Sequence, residues 1–240
     1  MRGVFGQRQG ILPVLLTERL EFPELDDQAR ELGPPGLVAL GGDLSVARLL
    51  LAYRSGIFPW SVDPITWWSP HQRGIIEFSQ FHVGQTLRRV LKQKPFEITM
   101  NHAFRDVVQN CALARLQGNW ISPHFVEAYT ALHEAGSAHS VECWQEGRLV
   151  GGIYGVATGG TFAAESMFYR VSNASKVALV HLVEFLQQRG FILFDIQMVT
   201  PTTAAFGGSE ISRKEYLARL QETISLPVSF EGNRAKNDKS

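Results

Sequence analysis

The sequence predicts a mixed α/β (α+β) fold in which short sheet strands flank one long helix. Three observations predict it: apolar runs separated by turns over residues 140–168, a helical pattern over 173–189 and an apolar strand over 191–199. A chain of 240 residues, 45% hydrophobic and 19% charged, is long enough to bury a substantial core. A peptide hormone and a wholly disordered chain are therefore excluded.

Four helices are predicted in the first half of the chain, and the first and fourth carry apolar residues at helical spacing. The first follows Ser45, a favoured N-cap residue, and the fourth opens with Ser122 and Pro123. Their expected ranges are 45–53, 86–92, 103–116 and 122–136.

Strands dominate the second half. Residues 140–145, 148–156 and 161–168 are predicted to form a meander, and the strand 191–199 closes the core. The long helix between them is capped by Ser172 or Asn173 and ends at Gly190. The Trp- and Pro-rich segment before residue 70 has a different composition, so we expect a small domain over 1–70, a larger one over 71–230 and a disordered tail over 231–240.

Charge and cysteine content limit the function classes. The 23 basic and 23 acidic residues give no net charge, so a nucleic-acid partner would have to be held by a local patch. Cys111 and Cys143 show no metal-ligand or disulfide-framework spacing. Without a signal peptide or an apolar run long enough to span a membrane, we expect a soluble cytoplasmic protein with no membrane partner.

Two polar side chains interrupt the apolar strand 191–199. In a regular strand Asp195 and Gln197 lie on one face, about 6.5 Å apart. A buried carboxylate is costly unless it is paired. Asp195 therefore either has a structural partner or is presented with Gln197 at the mouth of the sheet for catalysis.

Two further features allow a structural and a functional interpretation. Glu165 lies on a strand between small and flexible neighbours, which fits either a ligand site or a solvated strand residue. The tryptophans near residue 60 could stack on a base or fill the core between two lobes, and core packing is the more common case. Trp120, between a turn and a helix start, is the better candidate for a pocket wall.

Basic charge is concentrated between residues 73 and 94, where five basic residues face one acid, Glu77. The pattern fits a solvated helix face, but it is also the only stretch that could bind phosphates. The five residues are Arg73, Arg88, Arg89, Lys92 and Lys94.

Neither a metal site nor a nucleotide loop is predicted, and no cofactor is expected. His133 and His139 lack the spacing of a metal-binding helix pair. The glycine run at residues 151–155 lacks the Lys-Ser/Thr of a phosphate loop and lies in a predicted meander.

Seven short motifs, in order between residues 36 and 220, resemble the leucyl/phenylalanyl-tRNA-protein transferases. They are GLVALGGDLS (36–45), GIFPW (56–60), WWSP (67–70), GNWI (118–121), ESMF (165–168), NASK (173–176) and DIQ (195–197). The resemblance implies a small N-terminal α/β domain and a C-terminal domain similar to the acetyltransferase (GNAT) fold, with a mixed sheet.

The resemblance also implies an activity and its partners. Such enzymes transfer leucine or phenylalanine, and by slippage methionine, from leucyl-tRNA or phenylalanyl-tRNA to proteins with N-terminal Arg or Lys. The product is a degradation signal for the ClpS adaptor and the ClpAP protease.

Site residues follow from the same resemblance. Asp195 and Gln197 match the catalytic pair. The aminoacyl-adenosine pocket matches Trp60, Trp120, Ile153, Phe162 and Glu165, and the tRNA-binding patch matches Arg88, Arg89, Lys92 and Lys94. Ile153 stands where the family pattern has Met, which is expected to alter the preference between leucine and phenylalanine because Ile is stiffer. The stretch 200–203 is also less polar than the pattern.

Because an aminoacyl ester is already activated, the chemistry needs neither ATP nor a metal. One hypothesis is that Asp195 fixes the Gln197 amide, whose carbonyl oxygen accepts a proton from the attacking amine or aligns it. The other is that the ribose hydroxyl of the tRNA relays the proton. Two other function classes stay open: an acetyl-CoA-dependent acetyltransferase, although residues 167–175 lack a glycine for a pyrophosphate loop, and a non-catalytic RNA-binding module.

Overall fold

The N-terminal elements form a four-stranded sheet and one helix. In order they are β1 (Gly10–Ile11), β2 (Val14–Leu16), β3 (Arg30–Glu31), β4 (Leu37–Gly41), α1 (Val46–Arg54), β5 (Phe58–Val62) and β6 (Ile65–Trp68). The sheet has the strand order β2-β4-β6-β5, in which β2 is parallel to β4 and the other neighbours are antiparallel. β1 pairs with β3 separately. The computed structural model describes residues 10–25, 30–31, 33–114 and 121–230.

The remaining elements form a seven-stranded mixed sheet with helices on both faces. They are β7 (Gln72–Ile76), a 3₁₀ turn (Phe78–Gln80), α2 (Gln85–Gln93), β8 (Glu97–Met100), α3 (Phe104–Leu113), α4 (Pro123–Glu134), β9 (Ala138–Gln145), β10 (Arg148–Thr158), β11 (Thr161–Tyr169), α5 (Ala174–Arg189), β12 (Leu193–Gln197), α6 (Pro201–Ala204), β13 (Gly208–Ser212) and α7 (Arg213–Ile224). The strand order is β13-β7-β12-β11-β10-β9-β8, and β11 and β12 run parallel. The expected mixed α/β fold is confirmed.

The predicted helices and meander are confirmed with small shifts of their ends. Ser45 caps α1, and its hydroxyl accepts a hydrogen bond from the Arg48 backbone N–H at 3.3 Å. α5 ends at Gly190, whose φ of 82° is the left-handed conformation that glycine adopts without strain. The strands β9, β10 and β11 pair antiparallel in sequence order.

One expectation differs from the structure. The strand predicted over 191–199 is shorter, because the chain leaves α5 through Phe191, whose N–H bonds to Leu186 O, and turns again after Gln197. The Trp- and Pro-rich segment forms the hairpin β5–β6, whose pairing shifts register between Pro59 and Ser61. Pro59 is tolerated in this hairpin because β5 is an edge strand, so the backbone N–H groups along its outer edge need no strand partner.

Apolar side chains fill both faces of the large sheet. One cluster lies between that sheet, α3, α4 and the N-terminal elements, where Trp67 is fully buried. Another lies under α5. Gly151 permits the close approach of α5, since a Cβ there would collide with Ala174. The glycine run of β10 thus serves packing. The tail 231–240, expected to be disordered, lies outside the described residues.

Candidate active site

The site forms where the parallel strands β11 and β12 separate. Their pairing ends at Ala163 and Asp195, and beyond this point they diverge. A cavity of about 340 Å³, called here the junction cavity, opens at their carboxyl ends. Glu165, Gln197, Trp60 and Ile153 are among its lining residues. In α/β sheets, ligands bind at this edge of parallel strands.

A bulge in β11 directs Glu165 toward this opening. Ala164 pairs with Gly155 and Ser166 pairs with Tyr154, so Glu165 is an extra residue with no opposite partner on β10. Such bulges change the direction of a side chain and often occur beside active sites. The irregularity explains how a glutamate in an apolar strand reaches the cavity.

Gln197 also departs from regular strand geometry. Its φ is 60°, and the pairing of β12 with β7 shifts register between Asp195 and Gln197. The left-handed conformation costs a non-glycine residue about 1–2 kcal/mol. The prediction of regular alternation through Gln197 is therefore wrong: Asp195 is fully buried, whereas Gln197 lines the junction cavity.

Four hydrogen bonds hold the Asp195 carboxylate. Arg73 donates from Nε to Oδ1 at 2.9 Å and from Nη2 to Oδ2 at 2.6 Å. The Gln197 backbone N–H donates to Oδ1 at 2.8 Å, and the Tyr216 hydroxyl donates to Oδ2 at 2.8 Å. Asp195 thus fixes the backbone of Gln197 and not its side-chain amide, which corrects that part of the sequence-based hypothesis.

Arg73 and Tyr216 are the partners that sequence analysis missed in this role. The sequence groups Arg73 with the basic residues of 73–94, but its side chain is buried and only 1% exposed. Its guanidinium also donates to Gly56 O at 3.2 Å and lies 4.7 Å from the centre of the Phe58 ring. An arginine directly before the apolar run of β7 was the one available signal.

The Glu165 carboxylate is held by neutral donors. Gln197 Nε2 donates to Oε1 at 2.7 Å, and the Tyr129 hydroxyl donates to Oε2 at 3.1 Å. The Tyr53 hydroxyl lies 2.6 Å from that of Tyr129. Burial raises the pKa of the Glu165 carboxyl to about 7, and the neighbouring charge of Asp195 adds to the effect, although the hydrogen bonds oppose it.

The structure brings together some of the predicted pocket residues and not others. Trp60, Ile153, Glu165 and Gln197 line one cavity. Phe162 is fully buried outside that lining and packs near the rings of three phenylalanines at positions 191, 194 and 230. Trp120 lies outside the described residues.

Arg88, Arg89, Lys92 and Lys94, called here the basic cluster, are exposed on α2 and at its end. Leu87 is the one fully buried residue of this helix. No helix in the described ranges is long and apolar enough to cross a membrane. Within the same ranges, no three His, Cys, Asp or Glu side chains are grouped to hold a metal ion.

These features define a class of protein: an α/β protein with a ligand cavity at the separating ends of two parallel strands. The family profile described as leucyl/phenylalanyl-tRNA protein transferase matches residues 75–221, and the profile of its N-terminal domain matches residues 42–71. The chain belongs to this family, which confirms the resemblance of its motifs and the expected enzyme class, an aminoacyltransferase.

Relatives of the same description match nearly the whole chain. One from Syntrophobacter fumaroxidans is 50% identical over 230 residues, which cover 92% of this chain and 97% of that protein. One from Klebsiella pneumoniae is 48% identical over 229 residues, covering 91% and 97%. A solved GCN5-related N-acetyltransferase-like protein from Streptococcus suis is similar at 16% identity, covers 59% of this chain and 57% of its own, and has a TM-score of 0.36.

Proposed function

We propose that this protein transfers leucine or phenylalanine, and less readily methionine, from aminoacyl-tRNA to the α-amine of proteins with N-terminal Arg or Lys. The product would be recognised by ClpS and degraded by ClpAP in the cytoplasm. The observation that carries the proposal is the junction cavity, where an apolar wall meets the hydrogen-bonded pair of Glu165 and Gln197. Family membership supports the reaction class.

The apolar part of the junction cavity suits the side chain of the transferred amino acid. Ile153, Met167 and Leu179 lie on the side packed by α5, and Trp60 contributes an indole ring. An apolar pocket discriminates by only about 1–3 kcal/mol per methylene group. We therefore expect leucine and phenylalanine to be preferred and methionine to be accepted at a lower rate.

Gln197 is proposed to align the attacking amine. Since its Nε2 donates to Glu165, its Oε1 is left to accept a hydrogen bond from the amine. Asp195 is proposed to act through Gln197, by holding the backbone N–H that fixes its unusual conformation. Holding reactants in attack geometry can lower a barrier by several kcal/mol.

The basic cluster is proposed to bind the tRNA. A second cavity, of about 400 Å³, lies between the first turn of α2 and the start of α6, and Lys176 also lines it. Thr202 lines both this cavity and the junction cavity. The two adjoining cavities support a path along which a nucleic-acid strand bound at the basic cluster could reach the junction cavity.

The deciding experiment incubates the protein with radiolabelled leucyl-tRNA and a peptide that begins with Arg. Label should enter this peptide but not an N-acetylated copy, because acetylation removes the nucleophile. Acetyl-CoA in place of the tRNA should give no product. If the free peptide gains no label under any condition, the transferase proposal is wrong.

The same assay tests the role of α2. Arg88→Gln with Arg89→Gln should raise the KM for charged tRNA several-fold and flatten its salt dependence, because fewer phosphates are neutralised. A minimal aminoacyl-adenosine donor should react at an unchanged rate. Equal losses with both donors would instead show that these arginines support the fold.

A further inference from the structure

The proposed reaction needs a proton acceptor inside the junction cavity. The α-amine of a protein has a pKa of about 7.7–8.0, so most of it enters as an ammonium group at pH 7. Only the neutral amine can attack the ester carbonyl. Once the acceptor is enclosed, the proton has to be taken by a group that reaches the cavity.

Asp195 does not meet this requirement. Its carboxylate is fully buried and does not line the junction cavity. Four donors, including Nε and Nη2 of Arg73, already occupy its two oxygens. A substrate amine could approach it only after Arg73 or Tyr216 had moved away.

Gln197 reaches the cavity but cannot hold a proton at neutral pH, because an amide is not a base in this range. It can accept a hydrogen bond and orient the amine. Orientation and proton removal therefore fall to different side chains.

Glu165 both reaches the junction cavity and can hold a proton near neutral pH. Of the described residues that line the junction cavity, it alone has a side chain that titrates. Its Oε1 accepts from the same amide that is proposed to align the amine, so an amine bound at Gln197 lies beside this carboxylate. The Tyr129 hydroxyl donates to the other oxygen, Oε2, and the Tyr53 hydroxyl forms a hydrogen bond with that of Tyr129.

We propose that Glu165 is the catalytic base that takes the proton from the α-ammonium group of the acceptor, with Tyr129 and Tyr53 as positioning residues. The inference rests on the proposed function. The neutral amine attacks the ester carbon, forming the C–N bond, and the bond from that carbon to the terminal ribose oxygen breaks. Glu165 returns its proton to this oxygen, and the nitrogen loses its second proton to solvent, so each transfer releases one proton.

The surroundings of Glu165 suit a base that works near neutrality. The titratable or charged groups that face it or its tyrosines are Tyr53 on α1, Tyr129 on α4, Arg73 on β7, Tyr154 on β10 and Asp195 on β12. Desolvation outweighs the hydrogen bonds from Tyr53, Gln197 and Tyr129 and raises the pKa of the Glu165 carboxyl to about 7, close to that of the amine. A base matched to its substrate in this way is half ionised at neutral pH and still able to give the proton back.

The test is single-turnover transfer by Glu165→Gln, a substitution of nearly the same shape that keeps donors and acceptors for Gln197 and Tyr129. The rate at pH 7 should fall roughly 100-fold, within the usual range for loss of a general base. The wild-type rate should rise with pH through about 7, and the variant should lose this step and respond only to ionisation of the amine.

Two arms separate catalysis from structure. With hydroxylamine as the nucleophile, which is already neutral at pH 7, the variant should lose less than tenfold after the uncatalysed reaction is subtracted. Tyr129→Phe should move the pH step of the protein acceptor upward, because it removes a hydrogen bond that stabilises the ionised carboxylate.

Three results would overturn the proposal: equal losses with both nucleophiles, a raised KM for the donor with an unchanged chemical step, or an unchanged pH step in Glu165→Gln. Rate loss confined to a donor that lacks the neighbouring ribose hydroxyl would assign the proton to the tRNA instead. Failure of the wild-type protein to transfer leucine at all would refute the proposed function and is distinguishable from each of these.

Discussion

Asp195 and Glu165 are both buried carboxylates on neighbouring strands, close to the point where β11 and β12 separate, yet their environments differ. Asp195 is paired with a guanidinium and accepts four hydrogen bonds. Glu165 is held by neutral groups, the Gln197 amide and tyrosine hydroxyls, and it lines the junction cavity. Desolvation is compensated by an opposite charge in the first case and by neutral dipoles in the second.

The difference separates two tasks that would conflict in one residue. A carboxylate that holds a strand end in a left-handed turn must keep its partners throughout the reaction. A carboxylate that exchanges a proton must change its charge without disturbing its neighbours. Asp195 suits the first task and Glu165 the second.

The largest expected effect on the free energy of unfolding comes from breaking the ion pair between Arg73 and Asp195. Arg73→Met should destabilise the protein by about 3–5 kcal/mol in urea unfolding, because it leaves the buried Asp195 carboxylate without its charge partner. Adding Asp195→Leu to this variant should recover part of the loss. Arg105→Met is the matched control, since Arg105 pairs with Glu127 at the surface, and it should hardly move the unfolding midpoint. A small effect of Arg73→Met would show that the two carboxylates are not held differently.

The raised pKa of Glu165 predicts that the free energy of unfolding depends on pH. Its folded pKa of about 7 lies above the ordinary 4.5, so the folded state binds more protons than the unfolded state between these values. Its stabilising contribution is therefore present below about pH 4.5 and is lost as the pH rises through about 7. Glu165→Gln should gain about 2–3 kcal/mol relative to wild type between pH 5 and pH 8.

Unfolding curves at both pH values measure this gain. Glu184→Gln, at an exposed glutamate of α5, subtracts the general effect of removing a negative charge. A difference between Glu165→Gln and wild type that stays constant with pH would contradict the raised pKa.

The sequence predicts the regular parts of this molecule because they repeat a local pattern. The apolar spacing of α5 and the turns around β9 to β11 are such patterns. It also singles out Glu165, Asp195 and Gln197, because polar side chains in apolar strands need a partner or a use.

The partners of these residues could not be predicted, because they come from distant parts of the chain. Arg73 precedes Asp195 by 122 positions, and Tyr129 precedes Glu165 by 36. Tyrosines on amphipathic helices look like any other core aromatics. The bulge at Glu165 and the turn at Gln197 depend on strand pairing, which a strictly alternating pattern cannot express.

The smallest expected effect compares two tyrosines that differ in what they bind. The Tyr216 hydroxyl donates to the paired Asp195 carboxylate at 2.8 Å, whereas the Tyr53 hydroxyl lies 2.6 Å from the neutral hydroxyl of Tyr129 and also interacts with the Glu165 carboxyl. A hydrogen bond to a charged group contributes about 1.5–3 kcal/mol and one between neutral groups about 0.5–1.5 kcal/mol. Tyr216→Phe should therefore destabilise the protein by about 2 kcal/mol and Tyr53→Phe by about 1 kcal/mol in urea unfolding at pH 7.

Both tyrosines are almost completely buried, so removal of a hydroxyl leaves a similar gap in each case. A larger loss for Tyr53→Phe would mean that the negative charge of Glu165 is shared along the hydrogen bonds through Tyr129 to Tyr53. The conclusion that Glu165 is held by neutral groups would then be wrong.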